Sequence, residues 1–508
     1  MLIKHETIHG SWTRSPVFVM AGVGATIGLA NFWRFPYAMA EHGGLWFLLV
    51  YVLFLLVLGL PLLYAELLLG RVSRSSPITA FKSLVGASGL HPRWRWGGIL
   101  GPVAGILSLA TYVLVAGMVL AYLFKAALGE FNGAMPDDTV QLLAGLKHSL
   151  TRLFGWELLF LAGVFLVLAR GVNRGLERVM CYLIPLLFLL MVAQLAYAWR
   201  YGDLATAVDY LWLDGRQGFG WQSVAHAAQH AFFTLAIGMG VMMMFGAYSP
   251  GGRGLLWGGA LIIGLDLVVA VLAGVMIFPL VFSAGFGPAQ GFDLLFRVVP
   301  MTYGQLPGGQ FWATLFFALM ALAAWVAAVA LGESWVAWLV ERFHWRRWLA
   351  SLVTVSLAAL LAFGLSLSFR AGADWNLAGI SVFSYITLVV SAVLIPGAAL
   401  LVAVLLGWAL PRARVREWVE PLDGSWFYLV WHFLLRFLAP VLLCALILFT
   451  ITSFFQSACA LTGAGQGEFC SWLASGDEQV VSEQPEPVET PPVFDNTQSS
   501  EEIDDQDR

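Results

Sequence analysis

Apolar residues in this chain are concentrated in long runs separated by short polar segments. A run of about 20 such residues is long enough for an α-helix to cross a bilayer. The runs of this length lie near 16–38, 44–70, 97–126, 154–170, 178–199, 223–247, 255–283, 309–340, 348–368, 379–408 and 426–455. The pattern predicts an all-α polytopic membrane protein with about eleven spans.

Composition indicates the same class of protein. Of the 508 residues, 59% are hydrophobic and 11% are charged, and the mean hydropathy is +0.80, which excludes an ordinary soluble domain. The sequence contains no phosphate-binding loop, no metal-spaced Cys/His cluster and no nucleophile motif. We therefore expect neither an enzyme nor an ATP-driven pump, and no nucleic-acid partner.

The distribution of Lys and Arg predicts the orientation in the membrane. With loops assigned alternately, most of these residues, including Arg71, Arg174 and Arg346, share the side of the N-terminus. Short cytoplasmic loops are enriched in Lys and Arg. We expect a cytoplasmic N-terminus, an extracytoplasmic C-terminus and a location in the cell inner (plasma) membrane, with the lipid bilayer as partner.

The first apolar run contains residues that a plain membrane anchor would not need. Within 20–37 these residues are Gly22, Gly24, Gly28, Asn31, Arg34 and Pro36. Broken membrane helices are tolerated where the freed backbone faces protein or a wet cavity, and there they bind ions and substrates. A glycine-rich packing face is the alternative, but it does not explain the asparagine and the arginine.

The sixth run is interrupted in a similar way by Thr234, Gly238 and Gly240, which follow His226, Gln229 and His230. Interrupted helices at the start of two five-span halves are typical of inverted-repeat transporters. The predicted segments are a cytoplasmic N-terminal segment at 1–15, a first repeat at 16–200, a second repeat at 201–408, an eleventh span at 409–456, and an extracytoplasmic loop with a disordered acidic tail at 457–508.

The residues that follow the first break resemble a known signature. The stretch from Asn31 to Tyr37 (Asn-Phe-Trp-Arg-Phe-Pro-Tyr), with Glu41-His-Gly-Gly44 after it, is similar to the first-helix motif of the neurotransmitter:sodium symporters. The resemblance extends over roughly residues 9–455. It implies the fold of the bacterial leucine transporter, a LeuT-type 5+5 inverted repeat with an eleventh helix, and symport by alternating access.

For the substrate, the resemblance implies a carboxylate bound by the amides of Gly28, Leu29 and Ala30, with the Tyr112 hydroxyl as a further donor. Gly28 stands where amine-transporting relatives carry an aspartate, so an amino acid is implied. The residues expected around its side chain are Ser108, Val115, Phe233, Ala236, Met239, Ala327 and Leu331. This apolar lining suits a neutral, hydrophobic amino acid, although periodicity alone would assign Met239 and Leu331 to helix packing.

The resemblance also implies a first sodium site. Its ligands match the Thr26 carbonyl, the Asn31 amide oxygen, Thr234 and Asp266, with the substrate carboxylate completing the shell. Asp266 stands where chloride-dependent relatives have asparagine, and Ala270 where they have a chloride-binding serine. Because the fixed carboxylate supplies negative charge, we expect Na⁺ as the coupling ion and no need for chloride.

The second sodium site of the family is altered in this sequence. Backbone ligands match Gly24, Ile27 and Ala323, but Val326 and Ala327 replace two hydroxyl ligands on the eighth span. The free energy that a sodium ion loses on dehydration would be poorly compensated at this site. Three interpretations stay open: coupling through the first sodium site alone, proton coupling, or an amino-acid sensor that no longer transports.

The gates are altered as well. The residues matching the family's gates are Arg34, His230 and Ser384 on the outer side, and Trp12, Tyr248 and Glu341 on the inner side. Ser384 replaces the aspartate that usually pairs with Arg34, and His9 replaces an arginine beside Glu341. Glu66, in the second span, is implied to lie against both breaks, as a structural acid or as a proton carrier.

The predicted orientation also indicates the expected state of the four cysteines. Cys181 and Cys444 lie in apolar spans and are expected to be buried packing residues. Cys459 and Cys470 follow the last span on the oxidising side, where we expect a disulfide between them, with two free thiols as the alternative.

Overall fold

The structure is a computed structural model that describes residues 7–213, 218–250, 254–287, 291–369, 376–377 and 380–462. Residues 1–453 form one unit and residues 454–508 a second, of which the end of the last helix is described. The predicted disulfide between Cys459 and Cys470 and the acidic tail lie outside the part of the chain whose side chains are described. They stay predictions.

The described residues are almost entirely helical, because a bilayer offers no partner for free backbone N–H and C=O groups. The α-helices are α1 Ser15–Thr26, α2 Leu29–Glu41, α3 Leu45–Phe54, α4 Leu60–Ser73, α5 Pro77–Ser88, α6 Gly97–Ala127, α7 Pro136–His148, α8 Leu150–Ala169, α9 Arg178–Tyr201, α10 Leu204–Val208, α11 Trp221–Phe233, α12 Val241–Ala247, α13 Leu255–Ser283, α14 Gly291–Asp293, α15 Val299–Gln305, α16 Gly309–Phe343, α17 Arg347–Ser366, α18 Val382–Leu388, α19 Ile395–Val404, α20 Arg412–Asp423, α21 Ser425–Phe433 and α22 Ala439–Thr462.

Shorter elements join or extend these helices. The π-helical segments are Leu55–Gly59, Val172–Glu177, Asp209–Leu213, Leu294–Val298, Val389–Leu394, Leu405–Ala409 and Leu434–Leu438, and the 3₁₀ segments are Pro92–Trp96 and Leu367–Phe369. Two short strands, β1 Asn376–Leu377 and β2 Ile380–Ser381, pair antiparallel.

Within the described ranges, nine continuous helical segments are long and apolar enough to cross a membrane. They correspond to the predicted spans other than the first and the sixth. The first span is divided into α1 and α2, which are bent by 63° at the break. The sixth is divided into α11 and α12, with residues 234–240 between them. The prediction of an all-helical fold with broken first and sixth spans is confirmed.

The broken spans are enclosed by long helices. Helix α13 packs on α1 and α2, α16 packs along α6, and α12 packs on α4. The α4–α12 crossing depends on two glycines. A Cβ on Gly70 would lie 1.8 Å from the Met243 carbonyl oxygen, and one on Gly246 would lie 2.2 Å from that of Leu67. Because no side chain fits there, the two backbones approach closely and fix the inner half of the sixth span against the second.

Candidate substrate and cation site

The first break frees backbone groups that side chains then bind. Helix α1 ends at Thr26 and α2 begins at Leu29, with Ile27 and Gly28 in extended conformations. The Gly28 amide donates to the Asn31 side-chain oxygen at 3.1 Å, and the Leu29 amide donates to the Tyr112 hydroxyl at 3.3 Å. The positive end of α2 therefore opens onto this point, where an anionic group is favoured.

The second break depends on left-handed backbone. Ala236, Gly238 and Gly240 all have positive φ, of 51°, 77° and 75°, a region that glycine enters without steric cost. The Gly238 amide donates to one carboxylate oxygen of Glu66 at 2.7 Å. The other oxygen of Glu66 has no hydrogen-bond partner among the described residues. Glu66 thus lies against the second break and satisfies one of its free amides.

Asp266, on α13, joins the two breaks. One carboxylate oxygen accepts from the Asn31 amide group at 2.8 Å, and the other accepts from the Thr234 hydroxyl at 2.8 Å. Asp266 is fully buried, and no ion pair in the described part of the chain involves it. A buried carboxylate with only neutral donors has an unbalanced charge, so this cluster is suited to a cation.

The proposed substrate residues lie on four elements around the breaks. Gly105 of α6 sits against the second break, since a Cβ there would lie 2.8 Å from the Met239 carbonyl oxygen and 3.7 Å from that of Leu331. Ser108 and Tyr112 follow one and two turns later on the same helix. The Ser108 hydroxyl is buried and makes no hydrogen bond to another described residue.

The remaining candidate lining residues are Val115, Ala236, Ala327 and Leu331, which are buried, and Phe233 and Met239, which are half-buried. All of these side chains are uncharged, and within the candidate lining set only Ser108 and Tyr112 carry a polar side-chain group.

Comparison with known proteins decides the family. The sequence profile of the sodium:neurotransmitter symporter family matches residues 9–136 and 137–463. The chain belongs to this family. It is 32% identical to the sodium-dependent transporter YhdH of Bacillus subtilis, over 85% of this chain and 95% of that protein. A sodium-dependent transporter of Haemophilus influenzae is 27% identical over 85% and 96%.

A solved structure extends the comparison to the fold. The crystal structure of MhsT in complex with L-phenylalanine superposes with a TM-score of 0.76, at 30% sequence identity, over 86% of this chain and 99% of that chain. The protein is accordingly a multi-pass sodium symporter with a LeuT-type fold.

The residues around Asp266 fit the sodium ion that the family implies. Thr26, Asn31, Thr234 and Asp266 offer oxygen donors, which hard cations prefer, and Thr26 and Asn31 are buried beside the first break. The Thr26 hydroxyl donates to the Val23 carbonyl at 3.0 Å. The buried carboxyl group of Asp266, which has no ion-pair partner in the described chain, is the observation that supports a cation at this site.

The residues at the family's second sodium site do not fit such an ion. A Cβ built on Gly24 would lie 2.5 Å from a Val326 methyl, 2.9 Å from Ile184 and 3.2 Å from the Met180 sulfur. Val326 is 1% exposed. The space beside Gly24 is thus filled by apolar atoms, and Ile27 and Ala323 offer only their backbone.

At the expected outer gate, Arg34 contacts Gln229 and not His230. The exposed Arg34 guanidinium donates to the Gln229 side-chain oxygen at 3.3 Å, and the Gln229 amide group donates to the Thr450 hydroxyl at 3.0 Å. His230 is instead buried between the rings of Phe35 and Tyr51.

Ser384, the residue expected at this gate, makes its hydrogen bonds within the described chain to a neighbour on the same segment. Its backbone amide and its hydroxyl both bond the Ser381 hydroxyl. Arg34 is therefore fixed by a neutral amide on α11, without an ion pair among the described residues.

The expected inner gate is held by more contacts than the expected outer gate. We call the side at which α1 begins the inner side. There the Trp12 amide donates to the Tyr248 carbonyl at 2.8 Å, and the buried Trp12 ring packs edge-on against Tyr248. His9 lies 3.1 Å from Glu341, the contact that the sequence suggested. The Ser76 amide also donates to Glu341, at 2.7 Å.

Some gate residues were missed by the sequence analysis. The Tyr248 hydroxyl donates to the buried Glu333, which pairs with Arg347. From the sequence, Glu333 was used only to align the eighth span with the family. An ionisable residue inside a span is, however, by itself a signal of function. Gln229 and Thr450 gave no such signal, because uncharged polar residues are common in membrane helices.

Proposed function

We propose that this symporter carries a neutral, hydrophobic amino acid into the cell by alternating access, coupled to Na⁺ through the first sodium site alone. One observation carries the proposal: the buried and uncompensated Asp266 lies one hydrogen bond from Asn31, and Asn31 bonds the free amide of Gly28. A cation bound by Asp266 and a carboxylate bound at the first break would therefore be neighbours. Each would stabilise the other, which is thermodynamic coupling.

The substrate class rests on the side chains around the first break. Glycine at 28 leaves no acid for an amine. The lining residues are uncharged, which favours an apolar substrate side chain. The similarity to MhsT, whose structure holds L-phenylalanine, supports the same class. Leucine and phenylalanine are the first compounds to test.

Chloride independence rests on Asp266. The sodium ion would supply positive charge between the substrate carboxylate and Asp266. Because Asp266 is a fixed anion next to that position, a mobile anion is unnecessary, and Ala270, one turn along α13, offers no hydroxyl to bind one.

The orientation and the segment boundaries stay as the sequence predicts them. The excess of Lys and Arg on the side of the N-terminus supports a cytoplasmic N-terminus and an extracytoplasmic C-terminus. The side closed by Trp12, Tyr248 and Glu341 would then face the cytoplasm, and Arg34 would face the outside. The inverted repeats would occupy 16–200 and 201–408, between a cytoplasmic segment at 1–15 and an eleventh span at 409–456.

The decisive experiment is uptake by purified protein in liposomes. Labelled leucine, phenylalanine and alanine are offered under an inward Na⁺ gradient in chloride-free gluconate buffer, and then under a proton gradient without Na⁺. We expect accumulation of leucine and phenylalanine with Na⁺ alone. Accumulation that needs a proton gradient would contradict sodium coupling and direct attention to Glu66 and Asp266.

A second candidate function is an amino-acid sensor, favoured by the apolar packing around Gly24. A sensor would bind labelled leucine in a Na⁺-dependent manner, yet no imposed gradient would produce accumulation. Equilibrium binding on the same preparation separates this outcome from an inactive protein.

A further inference from the structure

Three basic side chains meet where the tenth span turns into the eleventh. Arg412 begins α20, His432 lies in α21, and Arg436 lies in the π-helical segment Leu434–Leu438 that follows. Tyr428 joins them, because its hydroxyl donates to the Arg412 carbonyl at 3.4 Å and its ring stacks on His432. Arg436 follows His432 by one helical turn. We call these three residues the basic corner. They lie on the inner side, because Asp423, at the end of α20, accepts a hydrogen bond from the Leu256 amide at the start of α13 at 3.4 Å.

His432 is a buried polar side chain with nothing to bond. It is 8% exposed, and neither ring nitrogen has a hydrogen-bond partner within the described residues. Its ring stacks on Tyr428, with 5.3 Å between the centroids and an angle of 18°. Buried polar groups are nearly always paired, so His432 is an exception, and no acid of the described chain lies at hydrogen-bond distance from its ring.

Arg436 is held by aromatic rings instead of by an acid. Its guanidinium lies 4.2 Å from the centre of the Trp408 ring and 5.6 Å from that of Phe437. The Trp408 indole donates to the Arg436 carbonyl at 2.8 Å, which fixes the ring in place. The buried Nε of Arg436 has no hydrogen-bond partner in the described chain.

No carboxylate in the described residues neutralises this corner. Neither Arg412 nor Arg436 takes part in an ion pair there. The acid that faces the neighbouring Tyr428 is Glu420, and it is paired with Arg416. Two guanidinium groups therefore act together as an uncompensated positive charge.

The surface beside the basic corner is apolar and exposed. Trp408 is 52% exposed, Phe433 59%, Phe437 47% and Val441 66%. Phe433, Phe437 and Val441 are spaced by four residues along one continuous helical segment, so they share a face. Tryptophan near arginine at the end of a span is typical of the interface between lipid headgroups and acyl chains.

We propose that the basic corner binds the phosphate of an anionic phospholipid in the inner leaflet. Arg412 and Arg436 bind the phosphate oxygens. The acyl chains lie along Phe433, Phe437 and Val441. A zwitterionic lipid would bring its own ammonium group next to the two arginines, so an anionic lipid is preferred.

The proposal is tested with the purified full-length protein in detergent by native mass spectrometry. Phosphatidylglycerol and phosphatidylcholine with the same acyl chains are titrated separately, and bound lipid is counted. We expect phosphatidylglycerol to bind more tightly. Arg412→Gln or Arg436→Gln should weaken its binding by about five- to tenfold. Arg416→Gln, which removes an arginine already paired with Glu420, is the matched control and should leave binding unchanged.

Other outcomes would overturn the proposal. Equal binding of the two lipids by the wild-type protein would do so, as would equal losses in Arg412→Gln and Arg416→Gln. Displacement of phosphatidylglycerol by millimolar glycerol phosphate would assign the corner to a soluble phosphate instead of a lipid. Arg412 is exposed, so its variant is expected to fold even if Arg436→Gln does not. Size-exclusion profiles check both.

Discussion

The two flanks of the break in the first span differ in chemistry, although they share one backbone. On one flank, Asn31 and Thr234 bond the buried carboxylate of Asp266. On the other, Gly24 faces Val326 and Ile184. Helix breaks free carbonyl oxygens in both directions. These carbonyls therefore do not make a cation site by themselves. Side chains from neighbouring helices decide which flank can hold an ion.

The physical reason is the cost of dehydration. A sodium ion that leaves water loses the oxygen atoms of its hydration shell and must find oxygen ligands in the protein. Where apolar side chains occupy ligand positions, most of the dehydration free energy is not compensated. Asp266 offers a full negative charge on one flank. The methyl groups of Val326 and Ala327 offer none on the other. Under the proposed function, we therefore expect one transported sodium ion per amino acid.

Removing the charge from the polar flank should have the largest effect. Asp266→Asn leaves the cation unbalanced in a buried site, so we expect Na⁺-driven leucine uptake in chloride-free buffer to fall on the order of 100-fold. Initial uptake rates in liposomes measure this. Asp203→Asn, which alters a half-buried carboxylate that caps α10, is the control. Recovery of uptake on adding chloride would sharpen the comparison, and undiminished uptake would contradict it.

The hydroxyl at the break itself should matter less. Tyr112→Phe removes the group that bonds the Leu29 amide, and the loss of one hydrogen bond is expected to weaken leucine binding by about tenfold. Equilibrium binding of labelled leucine measures the change. Tyr122→Phe on the same helix loses a bond to the Phe296 carbonyl, far from the break. If both variants weaken binding equally, Tyr112 has no direct part in the site.

Adding side-chain oxygens to the apolar flank should enable it to bind a second sodium ion. In Val326→Thr with Ala327→Ser, we expect the Hill coefficient for Na⁺ to rise from about 1 towards about 2, because two sites then bind together. Na⁺-dependent leucine binding gives this coefficient. Val329→Thr with Ala330→Ser, one turn further along α16, is the matched control. A wild-type coefficient already near 2 would mean that the apolar flank binds sodium despite its packing.

The smallest effect is expected above the polar flank, at the outer gate. Thr450→Val removes the hydroxyl that positions Gln229 beneath Arg34, so we expect bound leucine to dissociate about threefold faster. Dissociation of labelled leucine after dilution measures the rate. Thr450→Ser keeps the hydroxyl and should restore it. Equal rates in the wild-type protein and Thr450→Val would show that Gln229 needs no such support.

Much of the site could be predicted because it depends on local sequence. Glycines and an asparagine within an apolar run predict a helix break, and the motif from Asn31 to Tyr37 predicts the family. The resemblance to the family pointed to Asp266, and Glu66 stood out because ionisable residues are rare inside spans. The missing hydroxyls at Val326 and Ala327 were equally visible, since they concern which residue types are present.

Contacts between distant spans could not be predicted in the same way. The bond from Gln229 to Thr450 joins the sixth span to the eleventh, and no pattern near either residue announces the other. The neighbouring His230 matched the family's gate position, yet its ring packs against Phe35 and Tyr51. A shift of one residue turns a helical side chain by about 100°, so adjacent residues face different neighbours.

The sequence by itself determined that this protein crosses the membrane, that its first and sixth spans are interrupted, and that Val326 and Ala327 offer no side-chain oxygen. These properties follow from hydrophobicity, helix-breaking residues and residue identity, which act locally. Tertiary structure alone decided that Asp266 bonds both Asn31 and Thr234, that apolar side chains fill the space beside Gly24, and that Arg412, His432 and Arg436 share one corner. Each of these depends on which helix faces are brought together, and packing sets that arrangement.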